Sequence, residues 1–179
     1  METTAPAQHL SGMSPTFESV YRAEFKPVWR VLARLGIPAG SVEDLVHDVF
    51  LTAHRKWNDY DPGRPARAWL FGIAYRLAAD HRALKRHHHE VSDDDAAAEV
   101  AAPTASSMDH RDAIKVLDVA LVRMSDDARA VFVMHELEER TVPEIAELMG
   151  TPVPTAYTRL RSARQIFAAV VSTQTEVRP

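Results

Sequence analysis

The sequence predicts an all-α protein of two small helical domains joined by a flexible acidic linker. Three observations predict it. Apolar residues recur at helical spacing through nearly every segment outside residues 90–110. No clear alternating strand pattern appears anywhere. Glu90 to Asp109 holds six acids and no Lys or Arg, is rich in Ala, Ser and Thr, contains Pro103 and is nearly without large apolar residues. Such a segment buries too little surface to offset its ordering entropy and reads as a linker. The chain then divides into a tail at 1–14, a domain at 15–89, the linker at 90–110, a second domain at 111–173 and a tail at 174–179.

The 179 residues, 46% apolar and 26% charged, suit two small globular units. The linker alone carries six acids, so the rest of the chain stands at +2 against −4 for the whole. No apolar run is long enough to span a bilayer. Met1 to Ser14 has neither Lys nor Arg and no apolar core, unlike a signal peptide. There are no cysteines, which excludes disulfides and thiolate metal sites. These features are those expected of a cytoplasmic protein.

Phe17, Val20, Tyr21, Phe25, Val28, Leu32 and Leu35 set a first helix, with Pro27 placed to bend or split it and Gly36 and Pro38 to end it. Ser41 is expected to open a second helix, with Asp44 as its capping partner. Its core stripe is Val42, Leu45, Val46, Val49, Ala53 and Trp57. Leu51 falls opposite that stripe and Phe50 at its edge, among Asp44, His47, Asp48, His54 and Arg55. Apolar residues inside a mixed charged face hint at a protein partner.

Asp61-Pro62-Gly63 is a turn. Arg64 to His89 then carries six Lys or Arg against one acid, Asp80. Trp69, Phe71 and Tyr75 are interleaved with them, and the run closes on His87, His88 and His89. Basic charge tracks a phosphate backbone, and aromatic planes stack on unpaired bases. Trp69, Ile73 and Leu77 share a helical face and belong to the core, joined by Leu70 and Ala74. Arg76, Arg82, Lys85 and Arg86 are the better candidates for nucleic acid. The abrupt change to acidic sequence predicts a loop at the helix end.

Thr141 to Arg164 is the most specific stretch. Thr141 and Glu144 form a capping box, T-x-x-E. Ile145, Leu148 and Met149 give a short apolar stripe, and Gly150 supplies the turn. Thr151 is expected to cap the next helix, with Pro152 at its first position. On that helix Val153, Ala156, Leu160, Ala163, Phe167 and Val170 fall in one arc, the core face. Thr158, Arg161, Ser162 and Gln165 lie opposite, flanked by Thr155 and Tyr157, with Arg159 and Arg164 near the rim. This is the grammar of a helix-turn-helix, whose second helix enters the major groove of DNA. Arginine there pairs with guanine, and hydroxyls serve either base.

Nine histidines raise the question of a metal enzyme. His135-Glu136 is followed by Leu137, Glu138 and Glu139, so the H-E-x-x-H spacing fails. His87 to His89 are consecutive and cannot all face one site on a helix. They can add charge toward phosphates near pH 6 to 7. No glycine-rich phosphate loop or nucleophile motif occurs. No catalytic residue, metal site or cofactor is therefore assigned.

Two separate segments resemble one family. DLVHDVFLTAHRKW at 44–57, followed by DPGRPARAWLFGIAYRLAADHR, resembles region 2 of the sigma-70 superfamily, and residues 117–166 resemble region 4. Their order and the linker between them are similar to the extracytoplasmic-function (ECF) group of bacterial RNA polymerase sigma factors. The resemblance implies core RNA polymerase as a partner, through its β′ clamp and β flap, and promoter DNA. Asp44, His47, Asp48, Phe50, Leu51 and His54 would dock on the β′ clamp coiled coil. Arg76, Asp80, Arg82, Lys85, Arg86, His87 and His88 would engage the −10 element and hold a flipped base, a cost of about a few kcal/mol offset by pocket and stacking contacts. Thr155, Tyr157, Thr158, Arg159, Arg161, Ser162 and Arg164 would serve the −35 element. Arg76 stands where the family often has Asn, and Tyr157 where it is often basic. Catalysis would stay with the polymerase, and an anti-sigma factor is a further implied partner. The rival reading is a stand-alone helix-turn-helix regulator that binds duplex DNA without polymerase.

Overall fold

A computed structural model describes residues 15–89 and 108–176, with side chains from 15–85 and 112–173. Most of the 90–110 linker, the 1–14 tail and residues 177–179 lie outside the described residues, while 174–176 of the expected C-terminal tail are helical. No strand occurs among the described residues.

The first group is α1 (Phe17–Arg34), α2 (Ala39–Arg55) and α3 (Ala66–His89), with a short 3₁₀ turn at Trp57–Asp59. The Thr16 side chain accepts from the Ser19 amide to start α1, which runs unbroken through the buried Pro27. Gly36 ends it at φ 86°, a conformation that glycine takes without steric cost. α2 begins two residues earlier than Ser41. Pro38 precedes it and no side chain caps it, while the Ser41 amide bonds the Pro38 carbonyl. Proline's fixed φ starts this helix where a hydroxyl cap was expected. The Asp61 carboxylate accepts from the Gly63 amide at 2.8 Å and closes the turn before α3. α3 continues through the basic run to His89, and the loop expected at its end, where the acidic sequence begins, lies outside the described residues.

The second group is α4 (Met108–Arg123), α5 (Asp126–Phe132), a π-helical segment (Val133–Leu137), α6 (Val142–Met149) and α7 (Val153–Glu176). α4 therefore starts inside the 90–110 segment. Ser125 caps α5 by accepting from the Ala128 amide. The Arg129 guanidinium donates to the Leu121 carbonyl at 2.6 Å, so a charged side chain closes the C-terminal end of α4. The π segment is followed by Glu139 at φ 55°. That turn carries Glu138 inward, where its carboxylate lies 3.8 Å from Arg34 of α1. Burial raises the Glu138 pKa, and Arg34 and Arg67 oppose that rise.

The two groups touch. One apolar cluster takes in Val31, Leu32, Val46, Leu70 and Phe71 of the first group and Val131, Met134, Ile145, Ala146 and Leu160 of the second. α3 and α6 approach closely at Gly72, where an added Cβ would lie 2.8 Å from Leu148 Cδ2.

Candidate nucleic-acid interface

The helix-turn-helix is built as its sequence predicts at three points. The Thr141 hydroxyl accepts from the Glu144 amide, and the Glu144 carboxylate accepts from the Thr141 amide at 2.8 Å. Hydrogen bonds to the Thr141 side chain and then its backbone hold the Glu144 carboxyl below the usual range. Gly150 is left-handed, with φ 61° and ψ 35°. The start of α7 differs. Its first helical residue is Val153, after Pro152, and the Thr151 hydroxyl accepts from Arg159 Nη1 at 3.3 Å rather than capping.

On α7 the inner face is Ala156, Leu160, Ala163 and Val170, all buried, with Phe167 packed on Phe132. Val153 was expected on that face and is exposed. Its place at the first turn puts it beyond the reach of the core. The outer face presents Tyr157, Thr158, Arg161, Ser162, Arg164 and Gln165 to solvent, with Thr155 half-buried. Tyr157 is 54% exposed. An open groove of about 460 Å³ runs between Tyr157, Arg161, Arg164 and Gln165. Arg161 has no ion pair among the described contacts, whereas Arg164 donates to Glu136 at 2.7 Å. Arg159 pairs with Asp127 at 2.5 Å. Arg159 is therefore a brace within its own domain rather than a free side chain at the rim.

On α3, Arg76, Asp80 and Lys85 are exposed. Arg82 is not: its side chain is 13% exposed, donates to the Leu35 carbonyl at 2.8 Å and faces Asp126 at 3.3 Å. The Arg86, His87 and His88 side chains lie outside the described residues. Phe71 is fully buried, so it cannot stack on a base. Trp69 tilts against Tyr60 and Trp57. Tyr75 reaches Asp127 at 3.5 Å, and burial, then that carboxylate, raises its pKa. His81 was not singled out by its sequence. Its Nδ1 is buried without a partner, and burial, then Lys85 and Arg82, lowers its pKa.

On α2, Asp44, His47, Asp48, Leu51 and His54 share the exposed side. Leu51 is 49% exposed. Phe50 departs from the expectation. It is 4% exposed and packs against Tyr21 and Phe25, because α1 crosses the edge where it sits.

Fold and site define the class: an all-α protein of two helical units, one a helix-turn-helix with an open polar face and the other carrying a basic helix. Sigma-70 region 2 matches residues 20–88, and sigma-70 region 4 matches residues 114–166. The chain is 30% identical over 156 residues to the RNA polymerase sigma factor CarQ of Myxococcus xanthus, spanning 86% of each. It is 26% identical to the sigma factor CnrH of Cupriavidus metallidurans, over 95% of this chain and 94% of that protein. The solved sigma factor RpoE of Bartonella quintana, in complex with the anti-sigma factor NepR, shares the fold at a TM-score of 0.76. That match has 22% identity and spans 87% of this chain and 96% of that one. The chain belongs to the sigma-70 superfamily, in its ECF group.

Proposed function

We propose that this chain binds core RNA polymerase and directs it to promoters in the bacterial cytoplasm, recognising both −10 and −35 elements. The observation that carries this reading is the pairing, in one chain and in family order, of an exposed α2 face with an open α7 face. Asp44, His47, Asp48, Leu51 and His54 form the surface for the β′ clamp. Phe50 supports it from the core. Arg76, Asp80 and Lys85 serve the −10 strand, joined by Arg82 once it is released from its carboxylate. Tyr157, Thr158, Arg161 and Ser162 read the −35 duplex, with Thr155 beside them and Arg164 at the phosphates. The domain limits 15–89 and 111–173 belong to the same reading, with α4 moving the second start back to Met108. An anti-sigma factor is a proposed regulator, since the RpoE structure similar to this chain contains one. The chemistry of polymerisation stays with the core enzyme.

Run-off transcription with core polymerase tests the proposal: added protein is expected to yield specific transcripts that core alone does not. One observation favours the rival regulator, the open groove on α7 lined by Tyr157, Arg161 and Arg164. Tight sequence-specific binding of duplex DNA by the chain alone, with no gain on adding core, would select that rival.

A further inference from the structure

Three arginines of α7 are held to three different degrees. Arg159 is bonded by both Asp127 and Thr151. Arg161 lines the open groove with no ion pair among the described residues. Arg164 stands between them. Its Nε donates to Glu136 Oε1 at 2.7 Å, and among the described residues its two Nη groups make no hydrogen bond. Its side chain stays 56% exposed and lines the same groove as Tyr157 and Arg161. Glu136 comes from a rigid element. It lies within the π-helical Val133–Leu137, and a π turn inserts one extra residue into a helix and so redirects its side chains. Val133 and Met134 are buried beneath it. The Met134 carbonyl accepts from the Arg140 amide at 2.9 Å, and His135 Nδ1 donates to the Arg140 carbonyl at 2.7 Å. The backbone around Glu136 is thereby fixed, as a residue that aims another side chain requires.

We infer that Glu136 is a positioning residue for DNA binding: it grips Arg164 through Nε and leaves the Nη edge of that guanidinium to a backbone phosphate of duplex DNA. The inference rests on the sigma-like reading for the place of Arg164 at the phosphates. A guanidinium is a planar fork with more than one usable edge. A carboxylate on the Nε side leaves the two terminal nitrogens to meet phosphate oxygens as a pair. An arginine held in this way gives up less rotamer freedom when DNA arrives. Exposed ion pairs add little to folding, so the effect of this pair falls on binding. The negative charge of Glu136 opposes the phosphate, and that repulsion works against the gain from orientation. The two effects are separable, because glutamine keeps the acceptor and loses the charge, whereas alanine loses both.

The test measures binding of the full chain, joined to bacterial core polymerase, to a duplex recovered from a pool randomised upstream of the start site. Arg164→Ala should weaken binding about tenfold and lower the salt slope by about one phosphate contact. Glu136→Ala should weaken it about threefold. Adding Glu136→Ala to Arg164→Ala should cost nothing more, since no guanidinium is left to aim. Glu136→Gln should bind at least as tightly as the parent. Thermal unfolding should be unchanged in every variant, which separates aiming from a merely structural role. Equal effects of Ala and Gln at Glu136, in either direction, overturn the inference, because orientation is then not what Glu136 supplies. Losses that add in the double variant overturn it, as does an unchanged salt slope in Arg164→Ala. If core neither binds the chain nor gives run-off transcripts with it, the sigma-like reading fails. The same variants are then compared with the chain alone on a mixed-sequence duplex at low salt. Loss with Ala and retention with Gln there still carry the aiming of Arg164, and equal binding by all variants overturns it.

Discussion

Arg161 and Arg159 are two residues apart on α7 and have opposite fates. Arg161 stands exposed in the outer groove, whereas Arg159 is held by Asp127 and Thr151. Helical angle alone could rank them, but it could not see a carboxylate delivered by another helix. Arg161→Ala is therefore expected to weaken −35 recognition by about 1–3 kcal/mol and to relax preference at one base pair. Binding of a promoter-variant series checks this, and equal loss on every sequence would remove its base-reading role. The same contrast holds for Leu51 and Phe50. Leu51→Asp should leave circular dichroism intact and abolish co-elution with core polymerase. Phe50→Asp should unfold the first domain, because it buries a charge among Tyr21 and Phe25. The sequence placed Leu51 correctly because its angle lies opposite the stripe. It misplaced Phe50 because an edge position is settled by which neighbour crosses it.

Helix ends show where local rules suffice. The Thr141–Glu144 box and left-handed Gly150 are local, and both were legible. Ser41 and Thr151 also looked like caps. Each is displaced by a nearby proline, whose fixed φ chooses the helix start. The π segment at Val133–Leu137 was not legible. It leads into the turn that sets Glu138 beside Arg34, a tertiary contact with no periodic signature. The capping box makes a pH prediction. The Glu144 pKa is lowered in the folded state, so its contribution is complete above the ordinary carboxylate range and is lost as pH falls through the depressed value. Denaturant unfolding at pH 7 and pH 3 should show a smaller pH-dependent loss for Glu144→Gln than for the parent. At neutral pH, Thr141→Ala should cost about 1 kcal/mol by the same measurement.

For the molecule as a whole, fold class and two-domain order were legible because helical periodicity is repeated in every element. The docking of the domains was not. It depends on Gly72 admitting Leu148 and on carboxylates meeting arginines more than forty positions away in the chain. The shared apolar cluster predicts common unfolding. The three tryptophans, Trp29, Trp57 and Trp69, all lie in the first group and report it alone. Helical circular dichroism reports both. The two thermal transitions are expected to coincide, and a later or earlier tryptophan signal would show that the groups melt separately.

The close approach at Gly72 carries one last consequence. A methyl group there would meet only the tip of the Leu148 side chain, so the room at this site is set by how far one side chain can give. Larger residues there would be accepted by the helix itself yet would have to displace the Leu148 side chain. A sequence drifting at that site would loosen the seam between the two helical groups while leaving every residue on the outer face of α7 unchanged.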